Sequence, residues 1–108
     1  MCVIEGYCVK KYSVEQLDRG QTLLSILIDR KKREENSLNR YIEIVNECEK
    51  MLKLNEEERE NLSEGAYLRN KETYESDMHR FKKFIASTLV DIENVEREIE
   101  ETRKKYCL

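Results

Sequence analysis

The chain contains no proline in 108 residues, and this absence limits its fold more than any other feature of the sequence. Proline breaks the interior of a helix and glycine weakens it. The three glycines are Gly6, Gly20 and Gly65, so very long helices are permitted. A sheet-rich fold would need turn residues about every ten positions. The sequence therefore predicts an all-α protein.

The balance of charged and apolar residues indicates what kind of helical protein this is. Charged residues make up 40% of the chain and hydrophobic residues 39%, whereas an ordinary globular domain carries about 25% charged residues. So much charge leaves too little apolar surface for a spherical core, but it suits long helices with one apolar stripe. Large apolar residues recur at regular intervals, which a disordered chain does not need.

Charge and hydrophobicity also argue against nucleic-acid binding, a membrane span and a signal peptide. The net charge is −3, which argues against nucleic acid as the main partner because phosphate binding needs a concentrated basic surface. No run of about 18 apolar residues is present, so we expect no membrane span. The first twelve residues, MCVIEGYCVKKY, lack the charged lead and apolar stretch of a signal peptide. We therefore expect a cytoplasmic protein.

The first half of the chain predicts one long helix. Residues 1–12 form an N-terminal segment for which strand, helix and disordered arm all stay open. Ser13 and Gln16 form a capping-box pattern, which predicts that a helix begins there. From Leu17 onward, mostly apolar residues follow coiled-coil spacing. The two sets of seam positions are Leu17, Leu24, Lys31, Leu38, Val45, Leu52 and Gly20, Leu27, Glu34, Tyr41, Cys48, Asn55.

The second half predicts a turn and a second helix. The apolar spacing fails after Asn55, and Asn61, Ser63 and Gly65 supply residues typical of caps and turns. We expect the turn near residues 56–64, Asn61 or Ser63 as the cap, and a helix from about residue 64 to about residue 106. Its seam positions are Lys71, Met78, Ile85, Ile92, Ile99, Tyr106 and Tyr67, Tyr74, Phe81, Thr88, Val95, Thr102.

A short connection between two long helices makes them antiparallel neighbours. Residues 13–108 are therefore predicted to form a long antiparallel two-helix coiled-coil hairpin. Each helix would be roughly 64 Å long at 1.5 Å per residue. Neither helix would be stable alone in water, so the seam between them must stabilise both.

A break in the first stripe predicts a docking surface. Residues 29–37 are mostly charged, and if the chain reverses about residue 60 they face residues 83–91, which are unusually apolar. Exposed apolar patches often mark partner sites, with the apolar residues as anchors and the basic residues as a rim. A local change of register, or residues 1–12 folding back over the patch, would equally explain the mismatch. The predicted partner-binding residues are Arg30, Lys32, Arg33, Phe84 and Leu89.

No motif for catalysis or cofactor binding stands out. Cys2, Cys8 and Cys107 could meet at the base of the hairpin and bind zinc, but three reduced cysteines without a metal are the simpler interpretation. The lone His79 lies on a charged helix face, which is typical of a solvated side chain. The many carboxylates lack the cleft that acid–base catalysis requires. We therefore expect no enzymatic activity, cofactor, metal or small-molecule substrate.

Five glutamates lie around the predicted turn. They are Glu56, Glu57, Glu58, Glu60 and Glu64. Such a group could dock a basic surface of a partner, or it could form a solvated tip that prevents aggregation. Charge runs are usually of the second kind.

The turn and second helix resemble a known family. The connection reads RENLSEGAYLRNKE and the second helix ends IENVEREIEETRKKY. Over about residues 40–106 the chain resembles the coiled-coil stalk proteins of bacterial type III secretion systems, the FliJ/YscO family. The resemblance is strongest around Asn61-Leu62-Ser63, with Tyr67 and Leu68 just after.

The resemblance implies a rotor-like stalk in protein transport. Such a protein sits in the pore of the hexameric export ATPase, stimulates it, links it to the export gate and in some cases binds secretion chaperones. It would be cytoplasmic and peripheral at the inner membrane, and the hairpin end with both termini would enter the pore. Two other functions remain open, a structural coiled-coil scaffold that could be a dimer and a helical-hairpin chaperone for a single protein partner.

Overall fold

The computed structural model describes residues 12–108. They form two α-helices, α1 (Val14–Glu57) and α2 (Glu64–Tyr106), joined by a short 3₁₀ turn at Arg59–Asn61. The described residues include no strand. The predicted all-α helical hairpin is therefore confirmed. The predictions for residues 1–11 lie outside the described residues.

Helix α1 begins with the capping box that the sequence predicts. The Ser13 backbone N–H donates to Gln16 Oε1 at 2.9 Å, and the Gln16 backbone N–H donates to Ser13 Oγ at 3.1 Å. These two bonds satisfy N–H groups that have no partner within the helix. The helix consequently starts at Val14.

Ser63 caps the start of α2. Its Oγ accepts from the Ala66 backbone N–H at 3.1 Å, and its carbonyl accepts from the Tyr67 N–H at 2.9 Å. Of the two predicted caps, Ser63 is the one used. The Asn61 side chain instead donates to Glu58 Oε2 at 3.0 Å, so it holds the 3₁₀ turn together.

Helix α2 ends in a Schellman motif. Cys107 has a left-handed backbone with φ of 58°, and the Leu108 N–H donates to the Arg103 carbonyl at 2.9 Å. This bond satisfies a carbonyl that the helix end would leave without a partner. Arg103, Lys104 and Lys105 lie in the last turn, where cations interact favourably with the helix dipole.

The state of the cysteines differs in part from the prediction. Cys107 is disulfide-bonded, so the expectation of a reduced thiol is wrong at this position. Spacing along the sequence indicated proximity but not oxidation. Cys48 is a buried free cysteine. The predictions for Cys2 and Cys8 lie outside the described residues.

The packing divides into two compact units, and both helices contribute to each. The turn unit is Glu35–Val90. Among the described residues, the terminal unit comprises residues 12–34 and 91–108. Neither α1 nor α2 contains a stretch long and apolar enough to cross a bilayer.

The terminal unit has a small apolar core. Leu27, Val95 and Ile99 are buried, and Leu24 and Ile28 pack against them. Val95 has no exposed surface. Each apolar side chain of this size contributes about 1.5–3 kcal/mol when it is fully buried, so these few residues hold the two helices of this unit together.

Gly20 makes room for an aromatic ring in the terminal unit. A Cβ atom added at Gly20 would lie 2.5 Å from Tyr106 Cγ, closer than atoms can approach. The Tyr12 ring packs on the Tyr106 ring with centroids 5.6 Å apart, and the Tyr12 hydroxyl donates to the Lys105 carbonyl. The missing side chain at Gly20 therefore lets the end of α2 pack directly on α1.

The turn unit has a more polar core. Its buried residues include Val45, Cys48, Asn55, Tyr67 and Thr88. Every predicted seam position of both helices is buried or half-buried except Lys71, which is exposed. The half-buried Asn70 lies inward beside it and donates to Asn55 Oδ1 at 3.0 Å. The seam thus shifts by one residue close to the turn.

Candidate protein-contact surfaces

The structure assigns the predicted docking residues to different units. Arg30, Lys32 and Arg33 lie on α1 in the terminal unit, and Phe84 and Leu89 lie on α2 in the turn unit. The partner-binding role of each remains a prediction.

Arg30 of the predicted rim and its neighbour Lys31 pair with acidic residues of α2 within the terminal unit. Arg30 Nη1 lies 3.5 Å from Glu98 Oε2, and Lys31 Nζ lies 3.1 Å from Glu96 Oε2. The expectation that residues 29–37 face residues 83–91 is therefore wrong for this part of the stretch. These pairs are half-exposed, and such pairs are typically worth about 0–1 kcal/mol.

The register differs from the prediction because of the connection. The 3₁₀ turn at Arg59–Asn61 and the cap at Ser63 place the reversal of the chain beyond residue 60. A reversal about residue 60 would put Val90 opposite Arg30, whereas Arg30 meets Glu98, roughly two helical turns further along α2.

The two apolar anchors lie on different sides of α2. Phe84 is 41% exposed and Leu89 48%. The Phe84 ring packs with those of Tyr41 and Phe81, at centroid distances of 5.5 and 5.3 Å. Five residues of helix correspond to about 500°, so Phe84 and Leu89 point about 140° apart. They do not converge on one narrow site.

A polar network fixes the turn, and sequence reasoning missed it. The Tyr67 hydroxyl donates to Glu56 Oε2 at 2.5 Å. The Arg59 guanidinium donates to the Tyr67 hydroxyl at 3.3 Å and lies 4.2 Å from the centre of its ring. Arg59 also pairs with Glu56 at 3.5 Å and with Glu64 at 4.0 Å.

These contacts change the acidity of two side chains. The hydrogen bond from Tyr67 holds the pKa of the Glu56 carboxyl below its usual range, and the nearby Arg59 cation lowers it further. The same hydrogen bond, followed by burial, raises the pKa of the Tyr67 hydroxyl. The arrangement therefore favours an ionised Glu56 and a protonated Tyr67.

Asn55 extends the network into the seam. It is 6% exposed, and its Nδ2 donates to the Tyr67 carbonyl at 3.1 Å while its Oδ1 accepts from Asn70. A polar residue at a seam position is a recognised signal for a fixed register. That signal is present in the sequence, but its partners depend on the geometry of the turn.

A groove lies beside this network within the turn unit. It has a volume of about 170 Å³, and Leu54 on its lining is 46% exposed. Leu54 and Leu62 fall outside the seam positions, so the heptad pattern gives no sign of the groove. We call it the turn groove, and its lining residues are Met51, Leu54, Asn55, Glu58, Leu62, Asn70 and Tyr74.

Two findings bear on the chemistry of the described residues. Residues 12–108 contain no group of three or more side chains that could hold a metal ion. Burial raises the pKa of the Cys48 thiol, and the carboxylates of Asp77 and Glu47 raise it further. Cys48 is thus held as a neutral thiol, the form that reacts least.

Comparison with protein-family models, with curated proteins and with solved structures finds no match to this chain. A functional interpretation therefore rests on the residues and on their geometry. Those residues provide two kinds of surface, the charged outer faces of both helices and the partly apolar surface of the turn unit.

Proposed function

We propose that the chain is a non-enzymatic helical hairpin that acts by contacting other proteins, in the specific role of a type III secretion stalk. One observation carries this proposal. In each unit the two helices pack against each other through their seam positions, while their outer faces are exposed and mostly charged. Such a molecule offers surface for partners.

As a stalk the protein would be cytoplasmic and peripheral at the inner membrane. It would contact and stimulate the hexameric export ATPase and link it to the export gate, and secretion chaperones, which some members of that family bind, are a further candidate partner. Charged outer faces suit this role because exposed polar contacts are individually weak and can be broken and remade as a hexamer turns over. The resemblance of residues 61–68 to the FliJ/YscO family supports the same choice.

The first experiment tests binding and stimulation of the ATPase. Tagged protein is used to capture partners from the cytoplasm of its native host, and the captured proteins are identified by mass spectrometry. We expect the export ATPase or a gate component, and we expect the purified hairpin to raise the ATP turnover of that ATPase. Failure of both results would remove the secretion function.

A matched pair of variants tests which unit contacts the ATPase. If the end with both termini enters the pore, Lys32→Glu with Arg33→Glu in the terminal unit should reduce stimulation. Lys82→Glu with Lys83→Glu in the turn unit carries the same charge change and should have little effect. All four side chains are exposed, so both variants should fold, which circular dichroism can verify. Equal loss in both would contradict the proposed orientation.

A second candidate is a chaperone for one protein partner. The observation that favours it is exposed apolar surface on α2 in the turn unit, where Phe84, Leu89 and Val90 are 41%, 48% and 54% exposed. This function predicts capture of a single tight partner and no ATPase. Light scattering adds a third outcome, because a stable dimer of the 13.0 kDa chain would favour a structural scaffold.

A further inference from the structure

We infer that the turn groove binds a basic amphipathic helix of a partner protein. This inference deepens the proposed protein-binding function and rests on it.

The shape of the groove suits an apolar side chain. Its apolar lining comes from Met51, Leu54, Leu62 and Tyr74, and its volume is about 170 Å³. A cavity of about 150 Å³ in another protein holds benzene. One leucine or phenylalanine of a partner could therefore enter, and it would cover Leu54, which is 46% exposed in the chain alone.

The polar parts of the groove are already held in place. Asn55 and Asn70 bond to each other at 3.0 Å, and Asn55 also donates to the Tyr67 carbonyl. The Glu58 carboxylate accepts from Asn61 at 3.0 Å. A site that is formed before binding loses less conformational freedom when the partner arrives, which favours affinity.

Charge identifies the partner as basic. Glu58 is the charged residue on the lining, and residues 55–64 carry five glutamates and one arginine. That arginine, Arg59, pairs with Glu56 and Glu64. Glu58 and its neighbours in sequence, Glu57 and Glu60, are exposed. Negative charge in this part of the turn unit attracts cations and repels acidic segments.

A helix is the form of partner that can supply both an apolar side chain for the groove and positive charge beside it. An amphipathic helix presents apolar residues at three- and four-residue spacing to a groove and places lysine or arginine on the flanks. A second copy of this chain is a poorer occupant, because its own net charge is −3. The glutamates around the groove would repel it.

The probe for this inference is a short synthetic helix of leucine and lysine with a fluorescent label. Its binding to the full chain is followed by fluorescence anisotropy at about 0.15 M ionic strength, where the Debye length is about 8 Å. We expect saturable binding of this peptide. A matched helix of leucine and glutamate should not bind, because it carries the charge that the groove repels.

Variants then locate the binding site. Leu54→Ser should weaken binding about tenfold or more, because it removes the apolar contact at the rim, and Glu58→Gln should weaken it by a smaller factor. Leu68→Ser is the matched control, since Leu68 lies in the same unit, is 52% exposed and does not line the groove. It should bind the peptide as the parent protein does.

Two results would overturn the inference. One is equal affinity of the parent and Leu54→Ser for the lysine helix. The other is a set of amide NMR shifts spread over acidic faces outside the turn groove, which would mean general attraction to negative charge. The assay contains no ATPase, so its failure is distinct from failure of the secretion function, and the turnover assay does not depend on this peptide.

Discussion

A single missing side chain determines how α2 packs at its C-terminal end. Glycine inside a helix costs about 1 kcal/mol relative to alanine, yet Gly20 lies inside α1. The Tyr106 ring occupies the space that a side chain would need. The packing of the ring therefore offsets the weak helix propensity of glycine.

Gly20→Ala should destabilise the protein, although alanine is the better helix former. The new Cβ would lie 2.5 Å from Tyr106 Cγ, and overpacking of this kind typically costs about 1–3 kcal/mol. Urea unfolding followed by circular dichroism measures the change. In a Tyr106→Ala background the same substitution should instead stabilise by up to about 1 kcal/mol. Stabilisation in both backgrounds would show that the ring does not occupy this space.

The hydrogen bond between Tyr67 and Glu56 should make stability depend on pH at both extremes. The pKa of Glu56 is lowered, so its contribution is present above the ordinary glutamate pKa of about 4.3 and is lost as the pH falls through the lowered value. The pKa of Tyr67 is raised. Its contribution is present below the ordinary tyrosine pKa of about 10 and is lost as the pH rises through the raised value.

Two variants separate these contributions from other titrating groups. Relative to the parent protein, Glu56→Gln should lose most stability at neutral pH and little in strong acid. Tyr67→Phe should remove both pH-dependent contributions to stability, the one that the parent protein loses in acid and the one that it loses in alkali. Urea unfolding across the pH range is the measurement. Parallel pH profiles for all three proteins would contradict a coupling between the two groups.

The Cys48 thiol should react slowly in the native protein. It is 6% exposed, and burial together with Asp77 and Glu47 raises its pKa, so few molecules carry the reactive thiolate at neutral pH. Alkylation followed by peptide mass spectrometry measures the rate at this residue alone. Addition of urea should increase the rate strongly, whereas an equal rate with and without urea would indicate an accessible thiol.

The limits of the two helices follow from local sequence, and the register between them does not. Ser13, Gln16 and Ser63 act within one helical turn of their own positions, so their pattern predicts where helices begin. Seam spacing is equally local, and it identifies the buried and half-buried positions of both helices except at Lys71. The pairing of α1 with α2 depends on the 3₁₀ turn at Arg59–Asn61, whose geometry no local pattern specifies.

The same distinction explains what was missed at the candidate sites. An apolar stretch that contains Phe84 can be recognised in the sequence. The assignment of Phe84 and Leu89 to one site, however, assumed that both residues lie on the same side of α2. Leu54 and Leu62 form part of a groove only because the connection brings the end of α1 and the start of α2 together. Sequence spacing likewise does not indicate whether a thiol such as that of Cys107 is oxidised.

Removal of the cap of α2 should weaken the hairpin. Ser63→Ala eliminates the bond from Ser63 Oγ to the Ala66 N–H and should cost about 1 kcal/mol, within the usual range for such caps. Ser63→Asp retains an oxygen acceptor and should be nearly neutral. Thermal unfolding compares the three proteins. Equal destabilisation by alanine and aspartate would mean that the side-chain oxygen does not act as the cap.

For the molecule as a whole, the buried amide of Asn55 favours one alignment of α1 with α2 over the others. An apolar seam alone tolerates more than one alignment, because neighbouring heptads resemble each other. Asn55 bonds to Tyr67 and Asn70 in the observed alignment, and another alignment would bury its amide without partners. A buried polar residue is a well-supported device for fixing register.

Asn55→Leu should therefore allow more than one alignment of α1 with α2 while changing the stability of the protein little. We expect unfolding free energy to change little or to rise, and amide NMR spectra to show extra or broadened signals in the turn unit. Thr88→Val is a suitable control, because Thr88 is also a buried polar seam residue of this unit. One sharp set of signals for Asn55→Leu would show that the turn alone specifies the register.

The position of this amide beside the turn has a consequence for how such a protein can change in length. The alignment is set where the chain reverses, and the rest of the seam repeats every seven residues. Matched seven-residue insertions, one in each helix, would keep the same faces in contact and leave the turn untouched. Insertions of this kind would therefore lengthen both helices in whole repeats without altering the contacts at the turn.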